Sequence, residues 1–131
     1  MKKIINFNYI RPLYYYLHAM RDDELDDFFI NRGADVERLY REMKFEFDKF
    51  GPISQSRVVD ALEYILISRS WLENWRAVLP PDIPLDEVED KEGFVHNLFI
   101  ALAGREPRLD FDSRCVEIDN RVGGDGVNTK I

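Results

Sequence analysis

A single cysteine, Cys115, among 131 residues leaves no partner for an internal disulfide. A disulfide-stapled secreted scaffold is thereby excluded, and a reducing compartment is expected. Histidine is almost as scarce. His18 and His96 are the only two, far apart in sequence from each other, which argues against a transition-metal site. A dinuclear carboxylate centre needs Glu-x-x-His on two helices. Tyr15 and Gly93 stand where those glutamates would be. Nor does any apolar run approach the roughly 18 residues of a membrane span. The start, MKKIINFNYIRP, carries two lysines, but Asn6, Asn8 and Arg11 interrupt the apolar stretch that a secretion signal requires. The expectation is a cytoplasmic protein with no metal, no cofactor and no membrane association.

Positive charge is also in short supply. The chain has 18 Lys and Arg against 25 Asp and Glu, a formal net charge of −7. Direct nucleic-acid binding is disfavoured, because phosphates demand a basic footprint. A cationic protein partner is electrostatically welcome. The imbalance is uneven along the chain. Lys2, Lys3, Arg11 and Arg21 are the only charges before Asp22, whereas residues 22–92 hold 19 acidic and 9 basic side chains.

Catalytic signatures are missing as well. Neither G-x-S-x-G nor G-x-x-x-x-G-K-[ST] occurs. GGDG at 123–126 suits a turn, but a phosphate loop needs a strand before it and a helix after it. Cys115 and His96 read more economically as a small buried side chain and a helix-flank histidine than as a nucleophile with its base. Among 25 carboxylates many pairs could in principle serve hydrolysis, and none is singled out. The reading is that the chain is not an enzyme.

What is plentiful is apolar and helical. Hydrophobic residues make up 45% and aromatics 13%, enough for one globular domain with its own core. Pro12 suits the first turn of a helix over 12–20. A second helix opens at Asp22 or Asp23 as cap and runs to Gly33. Residues 34–50 place Val36, Leu39, Tyr40, Met43, Phe47 and Phe50 on one face, with Glu37–Arg41 and Arg38–Glu42 as supporting pairs. Gly51-Pro52 ends this helix. Ser54 or Ser56 caps the next, whose inward face is Val58, Leu62, Ile65, Leu66 and Leu72. Arg69 would fall on that face, so Ser68-Arg69-Ser70 implies a break, after which SWLENWRAVL resumes the helix to Leu79. PPDIPLD at 80–86 is a connection. Asp86 caps a last helix to Ala103, closed by Gly104, with Gly93 delaying its start. Val116 and Ile118 alternate with polar neighbours, a short extended segment. The expected fold is a mainly α single-domain bundle of five or six helices over residues 1–122, with a flexible tail at 123–131.

Two acidic runs stand out. RDDELDDFF holds Asp22, Asp23, Glu24, Asp26 and Asp27, and DEVEDKE holds Asp86, Glu87, Glu89, Asp90 and Glu92. Acids in a first helical turn favour the helix dipole. Asp26 and Asp27 lie past that turn, where like charges four residues apart cost roughly 0.2–0.5 kcal/mol per pair. The first run lacks the glycine and spacing of a calcium loop. Phe28 and Phe29 are expected on the buried side of the acidic helix. Three consecutive tyrosines, Tyr14, Tyr15 and Tyr16, cannot all be buried on one helix. Trp71 and Trp75 are one turn apart. These aromatics read first as core or partial core, and only second as interface anchors.

With these acidic runs, the YYY at 14–16, the single cysteine and its small helical domain, the chain resembles bacterial toxin-immunity proteins of contact-dependent and related polymorphic toxin systems. The resemblance implies tight one-to-one binding to a cognate toxin domain, commonly a basic nuclease. Asp22, Asp23, Glu24, Asp26, Asp27, Glu87 and Asp90 would then meet the partner, with Tyr15 and Trp75 as anchors. The physics agrees, because a nuclease cleft must attract phosphate and an acidic inhibitor can occupy it without chemistry of its own. Two other readings stand beside it: an acidic DNA mimic or regulatory protein of the phage anti-restriction type, and a small carboxylate-dependent hydrolase. Arg32, Arg38, Arg41, Lys44 and Lys49 interrupt the acidity in a way that disfavours a long phosphate mimic.

Overall fold

Helix α6 (Lys91–Ala103) is the centre of the molecule, packed on both α3 (Gly33–Asp48) and α4 (Pro52–Ser68) in a computed structural model of the chain. The structure describes residues 3–108, 110–112, 114–120 and 129–130. It is mainly helical, as expected, with one small two-stranded parallel sheet. Three of its helices run 13–17 residues and the other α-helices, α1 (Tyr15–His18), α2 (Asp22–Asp26) and α5 (Trp75–Val78), are single turns or little more.

The long helices follow the apolar period. Leu39, Tyr40, Met43 and Phe47 of α3 are buried, as are Val58, Ala61, Leu62 and Ile65 of α4 and Phe94, Val95, Leu98, Phe99 and Leu102 of α6. Tyr40 fastens α3 to α6 by donating its hydroxyl to the Phe94 carbonyl at 2.9 Å, and the two rings meet at 5.5 Å. The pairs expected for α3, Glu37–Arg41 and Arg38–Glu42, are not formed among the described residues. Arg32–Asp35, Lys44–Asp48 and Lys49–Glu46 are formed instead.

Helix boundaries depart from expectation where capping chemistry decides them. Gly51 is the N-cap of α4 and Pro52 its first residue, the position that proline's missing N–H suits best. Neither serine caps. Ser54 is fully buried, and Ser56 turns its hydroxyl back to the Pro52 carbonyl. The break at Arg69 is present: this residue ends α4 in the left-handed conformation, φ 57°. Ser68 and Ser70 share a 2.7 Å hydrogen bond there, and Asn74 donates to Ser70. The chain after the break does not resume a long helix. Only Trp75–Val78 is helical, and Leu72, expected inside, is 66% exposed. For α6 the cap is Asp90, not Asp86. Its carboxylate accepts the Gly93 N–H at 2.9 Å, so the start is delayed to Lys91. Gly104 closes the helix with φ 71°, a left-handed turn that glycine adopts without penalty.

The N-terminus differs most. Residues 12–18 are helical, but as a tight 3₁₀ turn over Arg11–Tyr14 leading into α1, preceded by a further 3₁₀ turn over Phe7–Tyr9. Before these lies strand β1 (Lys3–Ile5), for which nothing in the local pattern spoke. It pairs in parallel with β2 (Val116–Ile118), the expected extended segment, in the register Ile4 opposite Glu117. Asn120 extends this closure by accepting the Phe7 N–H at 3.0 Å. The tail expected to be flexible, 123–131, lies outside the described residues except for Thr129 and Lys130. The Thr129 carbonyl accepts the Gly51 N–H at 2.8 Å.

Candidate functional site

The first acidic run folds as one short, exposed turn rather than as a helix to Gly33. Arg21 is its N-cap residue, and the Arg21 N–H donates to the Glu24 carboxylate at 3.2 Å. The Arg21 guanidinium sits 3.2 Å from Glu24 and 3.5 Å from Asp23. Those two acids and Asp22 occupy the first turn, where the helix dipole favours them. Asp26 closes the helix and Asp27 follows it, at the end where the dipole disfavours acids. Among the described residues Asp22, Asp26 and Asp27 form no ion pair and no side-chain hydrogen bond. Folding therefore uses Asp23 and Glu24 and has no local use for Asp26 and Asp27.

The helix stops because the next residues go inward. Phe28 and Ile30 are buried beneath the run, whereas Phe29, expected beside Phe28, is 41% exposed with the Arg32 guanidinium 4.4 Å from its ring centre. Asp35 at the head of α3 accepts the Phe29 N–H at 3.0 Å and fixes this corner.

Asn31 then links the two acidic runs. Its side-chain nitrogen donates to the Glu87 carbonyl at 3.0 Å, and its oxygen accepts the Glu89 N–H at 3.0 Å. One carboxamide thus holds the 86–90 loop against the segment that follows Asp27. The four Cα–Cα steps from Asp27 to Asn31 span at most about 14 Å, so the end of the first run lies near the 86–90 loop. Around the link lies a depression of about 200 Å³ lined by Asn31, Val36, Tyr40, Glu89, Asp90 and Asn97. A larger groove of about 610 Å³ adjoins it across Asp90 and Gly93, with Leu66 and Ile67 on its floor and Asp90, Glu92, His96 and Glu106 around it. His96 Nε2 and a Glu106 oxygen are 2.7 Å apart.

The remaining expected site residues divide. Glu87 is exposed and paired with Lys91 at 3.0 Å. Tyr15 is 63% exposed, Tyr14 fully buried and Tyr16 half-buried, which satisfies the rule that three adjacent tyrosines cannot all face inward. Trp75 is half-buried. Its ring meets Phe94 edge-on at 5.6 Å and Lys91 covers it at 5.4 Å, so it packs against the start of α6. Cys115, expected buried, is exposed, its thiol 3.4 Å from Asp112. His96 and Glu106 were not singled out from sequence as a pair. Ten residues separate them, and only the left-handed turn at Gly104 brings the chain back to join them.

Burial singles out one carboxylate that composition could not. Glu63 on α4 is 0% exposed; one oxygen accepts from Arg105 Nη1 at 2.8 Å and from the Arg108 N–H at 2.7 Å. Burial pushes its acidity down, but the Arg105 hydrogen bond, the Arg108 N–H and the charges of Arg105 and Lys3 outweigh that, and its pKa lies below the usual glutamate value. Its other oxygen has no partner among the described residues. Asp60, one turn earlier, is half-buried and shifts the opposite way, raised by burial against the pull of Lys3. Glu63 has its firm partners in place and faces no reacting group, so it reads as an internal tie.

No cluster of three or more His, Cys, Asp or Glu among the described residues is arranged to hold a metal ion. No described helix is long and apolar enough to cross a membrane. No known protein family, curated protein or solved structure matches the chain.

Proposed function

We propose that the chain is an immunity protein, a stoichiometric inhibitor that binds a cognate bacterial toxin domain through its acidic face. The observation that carries this reading is the Asn31 link. The loop that holds the second acidic run is tied to Asn31, four residues past the end of the first, and Asp22, Asp26 and Asp27 have no intramolecular partner among the described residues. Charges that stabilise nothing internally are free to steer a basic partner, and a contiguous patch focuses the field more than scattered acids do. The partner of this reading is a basic toxin domain, a nuclease by preference, because its cleft must hold phosphate. The inhibitor contributes occlusion and no catalysis.

The test is kinetic. Reversing the patch with Asp26→Lys and Asp27→Lys slows association with the cognate toxin domain and flattens its salt dependence, while dissociation changes less. An unchanged association rate and salt slope in a folded variant would make the patch ordinary solvated surface. For the nuclease version, equimolar protein abolishes cleavage of RNA or DNA by that domain. Tight binding with cleavage intact, in a proven nuclease, would exclude occlusion of the active site.

A further inference from the structure

The two ends of α6 carry opposite charge. Asp90 and Glu92 mark its start, while Arg105 and Arg108 follow its end, about 20 Å away at 1.5 Å per residue. At the basic end a second groove of about 600 Å³ opens between the C-terminal half of α3, the first half of α4 and the residues after α6. Its size falls within the roughly 300–1,000 Å³ of small-molecule sites. Half-buried Val59, beside the nearly buried Phe47 and Leu102, gives it a small apolar floor, and Lys44, Arg105 and Arg108 give it a cationic rim.

The acids around this groove are already engaged. Asp60 faces Lys3 at 3.6 Å, Glu63 is tied to Arg105, and Asp48 is 2.8 Å from Lys44. What is left over is the Arg108 guanidinium. It is exposed, and it makes no hydrogen bond or ion pair among the described residues. Its backbone is not free to drift, because its N–H is fixed on buried Glu63 at 2.7 Å. A guanidinium on an anchored backbone, beside an apolar floor and two further cations, is suited to an acid group in a way that a solvated surface arginine is not.

We propose that this groove binds a small organic anion, one acidic group at Arg108 with Arg105 and Lys44 beside it, and an apolar portion over Phe47, Val59 and Leu102. The site is independent of the acidic face and of the toxin reading. The single uncompensated cation calls for one strong acid group, and the floor calls for an aromatic or acyl body.

Phenyl phosphate is the probe, titrated into the full chain and followed by backbone amide NMR shifts. The expected result is saturable shifts at Gln55, Ser56 and Ala103, with inorganic phosphate and phenol each bound about tenfold more weakly, since one loses the floor and the other the charge. Benzoate in parallel distinguishes a phosphate preference from a carboxylate one. Arg108→Ala, which keeps the N–H to Glu63 and so the fold, weakens phenyl phosphate by about tenfold. Shifts that map elsewhere, an affinity equal to that of inorganic phosphate, or full binding by a folded Arg108→Ala variant would each overturn the proposal.

Discussion

Asn31 holds Glu89 by a 3.0 Å hydrogen bond from the Glu89 N–H to its side-chain oxygen, across 58 positions of sequence. Because the same carboxamide also reaches the Glu87 carbonyl, Asn31→Ala removes both bonds at once. The expected cost is about 1 kcal/mol, since the freed groups are exposed and can turn to water. Amide exchange at Glu89 accelerates, whereas exchange in α4 follows only the global loss. Unaltered protection at Glu89 would mean that the loop is held by packing alone.

Glu63 ties α4 to the segment after α6. Glu63→Ala removes the acceptor of the Arg108 N–H and one of the two acceptors of Arg105, whose guanidinium keeps the Glu106 carbonyl at 3.0 Å and is 32% exposed, so the cost is about 2 kcal/mol, below that of a fully buried pair. The folded pKa lies below the ordinary value of 4.5. Its contribution is therefore complete above about pH 4.5 and is lost as pH falls through the lower folded pKa. Denaturant unfolding from pH 7 into acid should show this loss in the wild type and less of it in Glu63→Gln. Parallel curves would show that the charge of Glu63 is irrelevant to stability.

Tyr14 tests the opposite sign. Its ring is fully buried and its hydroxyl has no partner among the described residues. Burial, reinforced by Tyr40, pushes its pKa well up, so it is neutral at every working pH. Tyr14→Phe removes a desolvated hydroxyl and no hydrogen bond, and is expected to be neutral or to stabilise by up to about 1 kcal/mol. A clear fall in melting temperature would point to a partner for the hydroxyl.

Gly93 and Asp90 should be coupled. A side chain at Gly93 would run into the Asp90 carboxylate that caps α6. Gly93→Ala thus loses the cap, about 1 kcal/mol, against a similar gain in helix propensity. In an Asp90→Ala background only the gain remains, so the substitution becomes stabilising. A double-mutant cycle reads this directly. Asp86→Ala, at the position expected from sequence to be the cap, should leave α6 unaffected.

The helical class, the buried faces of α3 and α4, the break at Arg69 and the location of both acidic runs are legible in the sequence alone. Each of these is written in neighbours three or four residues apart or in the choice of a terminating residue, and such signals survive without knowledge of the rest of the chain. The tertiary structure decided which acids meet. The end of α2 at Asp26 depends on Phe28 and Ile30 finding the core. The tie between the 86–90 loop and the segment after the first acidic run depends on one asparagine, a residue type that offers no period to read. β1 is three residues long, too short for alternation to show, and it exists because β2 supplies its hydrogen bonds from the other end of the chain. Glu63 looked like any other glutamate until Arg105, 42 positions away, was seen to share its pocket. A buried charge is tolerated only where its partner is also in place, and that pairing is made by folding rather than by local sequence.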